Sequence, residues 1–146
     1  MDNKMDINPL ATIDDVQPED LDTGPVAVLN LLKFKPGESL DTYLQYISGV
    51  MKDCADSEID LIYGGELKEQ IQGDIGDWDA VLVVRYPTRR HVYEMFRSEA
   101  YQQHNPLAEA ALERRVLWPS EPVFPFKTHS AEFLGGEWSE RLSRII

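Results

Sequence analysis

An α+β domain built on one antiparallel sheet is the fold this sequence predicts, and three observations predict it. Apolar, β-branched segments at residues 26–34, 59–67 and 78–86 read as strands. Amphipathic helical runs follow the first and third, whereas a polar, glycine-containing loop at 70–77 joins the second and third directly. The first and third strands are also the most apolar, as expected of neighbours in the middle of a sheet. With a fourth strand at 116–118, the order is βαββαβ, a ferredoxin-like sandwich: a four-stranded antiparallel sheet with helices on one face.

Each element has a local reason. In 26–34, Val26, Val28, Asn30, Leu32 and Phe34 share one face, and Ala27, Leu29 and Leu31 share the other, so both faces are apolar. Asn30 is the polar exception. Its amide is satisfied by a backbone group or water, or it contacts a ligand. Lys35-Pro36-Gly37-Glu38 breaks the strand, and Ser39 caps a helix in which Leu40, Tyr43, Leu44, Ile47, Val50, Met51 and Cys54 recur every three or four residues. Ile59, Leu61, Tyr63, Gly65 and Leu67 alternate in the second strand, with a bulge or close backbone approach expected at Gly64-Gly65. Trp78 opens the third strand. Thr88 caps the next helix, Ser98 a short turn, and Asn105-Pro106 starts a last helix reaching Arg114.

The 146 residues suit one domain, with an acidic arm at 1–25, the folded unit at 26–118 and an extension at 119–146. Seven acids against Lys4 in residues 1–24 supply half of the net charge of −12. A surface so acidic repels phosphate, so no nucleic-acid partner is expected. No apolar run approaches the ~20 residues that cross a bilayer, and no apolar segment follows a basic start, so neither a membrane nor a secretory signal is expected. The single cysteine, Cys54, agrees with a cytoplasmic protein and reads as packing.

Asn30-Leu31-Leu32-Lys33-Phe34, Gly64-Gly65, Trp78-Asp79, Tyr86-Pro87-Thr88 and Ser98-Glu99-Ala100-Tyr101-Gln102 resemble, in that order, the family catalogued as domain of unknown function 1330. The resemblance spans roughly 26–118 and implies a dimeric α+β barrel, a homodimer with a cavity between each sheet and its helices. That superfamily includes cofactor-free monooxygenases, haem-degrading enzymes and small isomerases, so the resemblance implies no single reaction. In the haem-degrading branch an asparagine on the first strand, an aromatic ending the third and a histidine after the second helix surround the cofactor. Asn30 and Tyr86 fall at comparable places, while His104 is displaced by about a residue. Tyr86 stands where that branch has tryptophan, which argues against haem.

No phosphate-binding glycine loop, paired-cysteine or nucleophile-elbow motif occurs, and His91, His104 and His129 are scattered, so no cofactor and no protein-held metal are expected. The candidate catalytic residues are Asn30, Tyr86 and His104. Asn30 would orient a substrate, and Tyr86 or His104 would move a proton. The other reading of His104 is an exposed loop residue ahead of Asn105-Pro106. Tyr43, Trp78 and Tyr101 are candidates to line an apolar pocket, and Arg85 to hold an anionic group; each is otherwise a core, rim or surface-paired residue. Two functions follow. One is a small cofactor-independent enzyme, monooxygenase- or isomerase-like, acting on an apolar or aromatic small molecule. The other is a non-catalytic, ligand-binding or structural homodimer joined through the open sheet face.

Overall fold

The computed structural model describes residues 18–123, so the sequence readings at 1–17 and 124–146 lie outside the described residues. Four strands, β1 (Val26–Phe34), β2 (Asp60–Glu66), β3 (Ala80–Tyr86) and β4 (Leu112–Ser120), form one sheet in the order β2-β3-β1-β4. All neighbours are antiparallel, with Asn30 opposite Leu82 on one side and Leu117 on the other. The long helix α1 (Leu40–Asp53) and the shorter α2 (Arg89–Arg97), α3 (Glu99–Gln102) and α4 (Asn105–Ala111) supply the helical layer. The fold is the predicted ferredoxin-like α+β arrangement.

Helix starts fall where the sequence places them. Ser39 and Thr42 exchange the reciprocal bonds of a capping box at the head of α1. The Thr88 hydroxyl accepts from the His91 backbone at the start of α2, and that of Ser98 from Tyr101 at the start of α3.

The even-numbered face of β1 is the buried one. Val26, Val28 and Leu32 pack with Ala80, Leu82, Val84 and Tyr86 of β3 against Tyr43, Tyr46 and Val50 of α1 and Val92, Met95 and Phe96 of α2. The odd face is only half-buried in the single chain. Residues 18–23 strap across α2: the Arg90 guanidinium forks onto the Asp22 carboxylate at 2.8 and 3.0 Å, and the Arg90 backbone N–H donates to the Leu21 carbonyl.

Three local expectations are corrected. The bulge in β2 falls between Leu61 and Tyr63, whereas Gly64-Gly65 makes the close approach that was the other expectation there: a Cβ at Gly64 would lie 2.8 Å from Leu82 Cδ2. One extra residue at the bulge flips the side-chain parity, so Leu61 faces the helices whereas Tyr63 is 58% exposed. β3 begins at Ala80, two residues after Trp78. β4 is nine residues long rather than three, and Arg114, read as the end of a helix, belongs to it. The helical pattern stops at Ala111 because the chain turns directly into pairing with β1, with Phe34 opposite Leu112 and Lys33 opposite Arg114.

Candidate functional site

A cavity of about 30 Å³ lies between the sheet and α1 and α2. That is room for about one or two waters. Apolar side chains, among them Ile47, Val50, Ile59, Val84 and Leu117, make most of its wall. The polar groups on it are Asn30 of β1, Tyr43 and Tyr46 of α1, Tyr86 of β3 and Arg115 of β4. Among the described residues no aspartate, glutamate or histidine lines it.

Strand register explains how these groups meet. Asn30, Tyr86 and Arg115 all lie on the helix-facing side of the sheet, Tyr86 opposite Val26 and Arg115 opposite Leu32. Asn30 and Tyr86 are therefore four residues apart along β1, roughly 13 Å of strand. The long Tyr86 side chain narrows that gap, because its phenol feels Arg115, Tyr43 and Tyr101 electrostatically.

Arg115 is 6% exposed, and its Nη1 donates to the Tyr43 and Tyr46 hydroxyls at 3.3 and 3.4 Å, its Nη2 to that of Tyr101 at 3.5 Å. The proton order in this cluster follows from its outer end. The Asn105 Nδ2 donates to the Glu109 carboxylate at 2.9 Å, which fixes the amide orientation and turns Oδ1 toward Tyr101. Tyr101 must then donate to that oxygen, at 3.1 Å, and Tyr46 must donate to Tyr101, at 2.7 Å. Both phenol protons point outward and their lone pairs remain for the guanidinium. Edge-on packing of Tyr46 and Phe96 on Tyr101 holds the rings in place.

Burial pushes the Tyr43, Tyr46 and Tyr86 phenols above the ordinary tyrosine range, with Arg115 acting in the opposite direction. The guanidinium itself is held charged: burial lowers its pKa, but the surrounding phenol oxygens more than offset that. The guanidinium is buried against the hydroxyls of Tyr43, Tyr46 and Tyr101.

The Asn30 Nδ2 donates to the Val28 carbonyl at 3.0 Å, the backbone partner foreseen for it, and leaves further hydrogen-bonding capacity beside the cavity. The Tyr86 hydroxyl makes no hydrogen bond among the described residues although its side chain is 4% exposed.

The other candidates separate. Tyr43 lines the cavity, and Tyr101 lies behind it in the phenol cluster. His104 is outside, its Nε2 2.7 Å from Asp53 Oδ2 and its ring packed on Gly49. It is thus neither a cavity residue nor a free loop residue. Trp78 sits beyond the end of β3, donating to the Ile75 carbonyl at 2.9 Å beneath the Arg114 guanidinium. Arg85 is on the open sheet face, 3.9 Å from Asp60. Arg115 and Asn105 were not singled out from the sequence. The signal for Arg115 was an arginine two positions before Leu117 on one strand face, hidden while β4 was read as only three residues.

No family model matches the chain, and no curated protein matches it in sequence. Among solved structures it is similar to a protein of unknown function from Rhodopseudomonas palustris, at 22% identity and a TM-score of 0.66, covering 82% of this chain and 98% of that one. It is also similar to a protein from Arabidopsis thaliana, at 16% identity and a TM-score of 0.53, over 67% and 95% of the two chains. A hydroxynitrile lyase from Passiflora edulis matches at 13% identity and a TM-score of 0.52, over 69% and 97%. These likenesses concern the fold, which is ferredoxin-like α+β. No helix among the described residues is long and apolar enough to cross a membrane.

Proposed function

We propose that the cavity between the sheet and the helices is a small-molecule site, and that the protein is a cofactor-independent enzyme of modest chemical scope acting on a small apolar compound. The observation that carries this reading is Tyr86 on the cavity wall, whose hydroxyl makes no hydrogen bond among the described residues. A hydroxyl that makes no bond within the protein is open to a ligand acceptor. The cavity also reaches Asn30, so one occupant can touch both candidate catalytic residues. The phenol, held protonated at neutral pH, serves as a donor rather than a base. With no carboxylate or imidazole on the described wall, the supported chemistry is stabilisation of a developing oxyanion by preorganised donors. Reactions in which the substrate supplies its own labile proton fit this wall best.

The free space is narrower than an aromatic ring. Met51 and Met95 on the wall are unbranched and adaptable, so a ring enters by moving them. The tightness of the cavity favours the second reading, a dimer whose pocket binds without catalysis. Titration with acetophenone, a small aromatic ketone, followed at the Met51 and Met95 methyl resonances, tests the site. Tyr86→Phe is expected to weaken binding several-fold; unmoved methyls at saturation would sink the ligand-site reading.

The homodimer through the open sheet face also belongs to this proposal. Leu29, Leu31, Val81, Val83, Val116 and Trp118 share that face, an apolar surface of the kind that marks a partner site. Membership of the family with domain of unknown function 1330 rests on the short motifs alone, since no family model matches. A cytoplasmic location is our reading from the lone cysteine.

A further inference from the structure

We infer that the connection between β2 and β3 is an arm that grips a second copy of this chain through Ile71 and Ile75. The inference rests on the homodimer proposed above and adds a surface to it. Residues 67–79 contain no helix or strand. Connections of that length without secondary structure are uncommon in compact domains, and are usually functional when they are held in place. This one is held by its own hydrogen bonds. The Gln70 side chain spans the loop, its Nε2 donating to the Gly76 carbonyl at 2.7 Å and its Oε1 accepting from the Ile75 backbone at 3.2 Å. At the base, the Leu67 N–H donates to the Asp79 carbonyl at 2.9 Å. On this frame Ile71 is 98% exposed and Ile75 66% exposed. Both side chains are stiff at χ1, so burying them against a partner costs little rotamer freedom.

The anchors of the arm point to its partner. Lys33 and Arg114 are opposite each other on β1 and β4, on the open side of the sheet. Lys33 Nζ lies 2.8 Å from the Asp77 carboxylate, and Arg114 donates to the Asp77 carbonyl while its guanidinium stacks 4.5 Å over Trp78. The Trp78 indole then donates to the Ile75 carbonyl at 2.9 Å, and Gly76, at φ +95°, makes the bend between Ile75 and these anchors. The arm is thus fixed to one end of the open apolar face. The strands alone offer about a dozen positions on that face, whereas a standard interface takes roughly 20–30 residues from each side. The arm supplies the rest. In a twofold pair each copy brings its own, so two arms flank one apolar centre. Charge favours the same occupant. On a chain of net charge −12, residues 71–75 include a single charged side chain, Asp74, so the tip meets an acidic second copy with little repulsion.

The test is sedimentation equilibrium of the full chain at one salt concentration, with circular dichroism confirming that each variant folds. Ile71→Ser combined with Ile75→Ser is expected to raise the dimer dissociation constant at least tenfold. In mixed dimers of a methyl-labelled and an unlabelled chain, the Ile71 and Ile75 methyls should give NOEs to protons of the unlabelled copy. A smaller rise, or intermolecular NOEs from Leu29 and Leu31 with none from either isoleucine, would overturn the arm and leave the dimer standing. NOEs from the isoleucines with none from the sheet would overturn the assignment of the arm to this face. A parent protein that sediments as a single chain would sink the dimer and the arm together.

Discussion

The Tyr101 hydroxyl receives a hydrogen bond from Tyr46, donates another to Asn105 and lies against Arg115, whereas that of Tyr86 makes none among the described residues. The same substitution should therefore have opposite consequences at the two sites. Tyr101→Phe strands the Tyr46 proton and the Asn105 carbonyl in the core, and should destabilise by about 1–3 kcal/mol in urea denaturation. Tyr86→Phe removes no internal bond and should stay within about 0.5 kcal/mol of the parent. A large loss at Tyr86 would show that the hydroxyl has a partner in the fold and would remove the main support for the ligand site. The phenols also set an alkaline limit. Tyr43, Tyr46 and Tyr86 have folded-state pKa values raised above the ~10 of an unfolded tyrosine, so the unfolded chain loses protons first as pH climbs. Their contribution is fully present below about pH 10 and drains away above it. The urea midpoint should fall between about pH 9 and 11, with the 295 nm absorbance rise following unfolding rather than preceding it. A phenolate signal from folded protein near pH 10 would contradict the burial argument.

Helix α1 contains a glycine at position 49, where propensity alone would favour alanine by up to ~1 kcal/mol. The reason is a neighbour distant in sequence: a Cβ at Gly49 would lie 2.7 Å from His104 Cε1. His104 thus clamps α1 to the start of α4, tied to Asp53 at the end of α1. Gly49→Ala should destabilise the parent by pushing the imidazole off the helix, yet stabilise a His104→Ala background by about 0.5–1 kcal/mol. A Gly49→Ala change that stabilises both backgrounds would mean that the ring moves aside at no cost. The same elements show what the sequence could and could not reveal. Capped helix starts are local events, so Ser39, Thr88 and Ser98 were legible. The slip in β2 depends on pairing with β3, and glycines at 64–65 drew attention from the β-branched Ile62 beside it. The length of β4 depends on β1 being available for pairing, which no window around Arg114 and Arg115 reveals. The fold was therefore readable from Val26 onward, and Asn30, Tyr43 and Tyr86 line the cavity. The cation was missed because an arginine reads as surface until its strand is assigned.

Among the described residues the helices layer a single face of the sheet, and the other face is only half-buried. Trp118 is 65% exposed there, opposite Leu29, with Val116 opposite Leu31 one pair along. The polar residues of this face lie toward its ends: Lys33 bonds the Asp77 and Asp79 carboxylates, and Arg85 pairs with Asp60. An apolar centre with ion pairs at its margins is how an interface core and rim are built. In a twofold arrangement the tryptophan of each copy lands on the strands of the other, so one substitution alters the interface twice. Two copies each carrying a charge of −12 repel at a distance, and salt weakens that repulsion without weakening apolar contact. The proposed dimer should therefore dissociate less, not more, when sodium chloride is raised, the reverse of an interface held by ion pairs. Sedimentation equilibrium should give about twice the 16.7 kDa of one chain, with a dissociation constant that falls as salt increases. Trp118→Glu should return a folded monomer, because it buries two carboxylates without partners in the dimer and touches none of the core that holds α1 and α2. A parent protein that sediments as a single chain at every salt concentration would leave the open face without its proposed occupant.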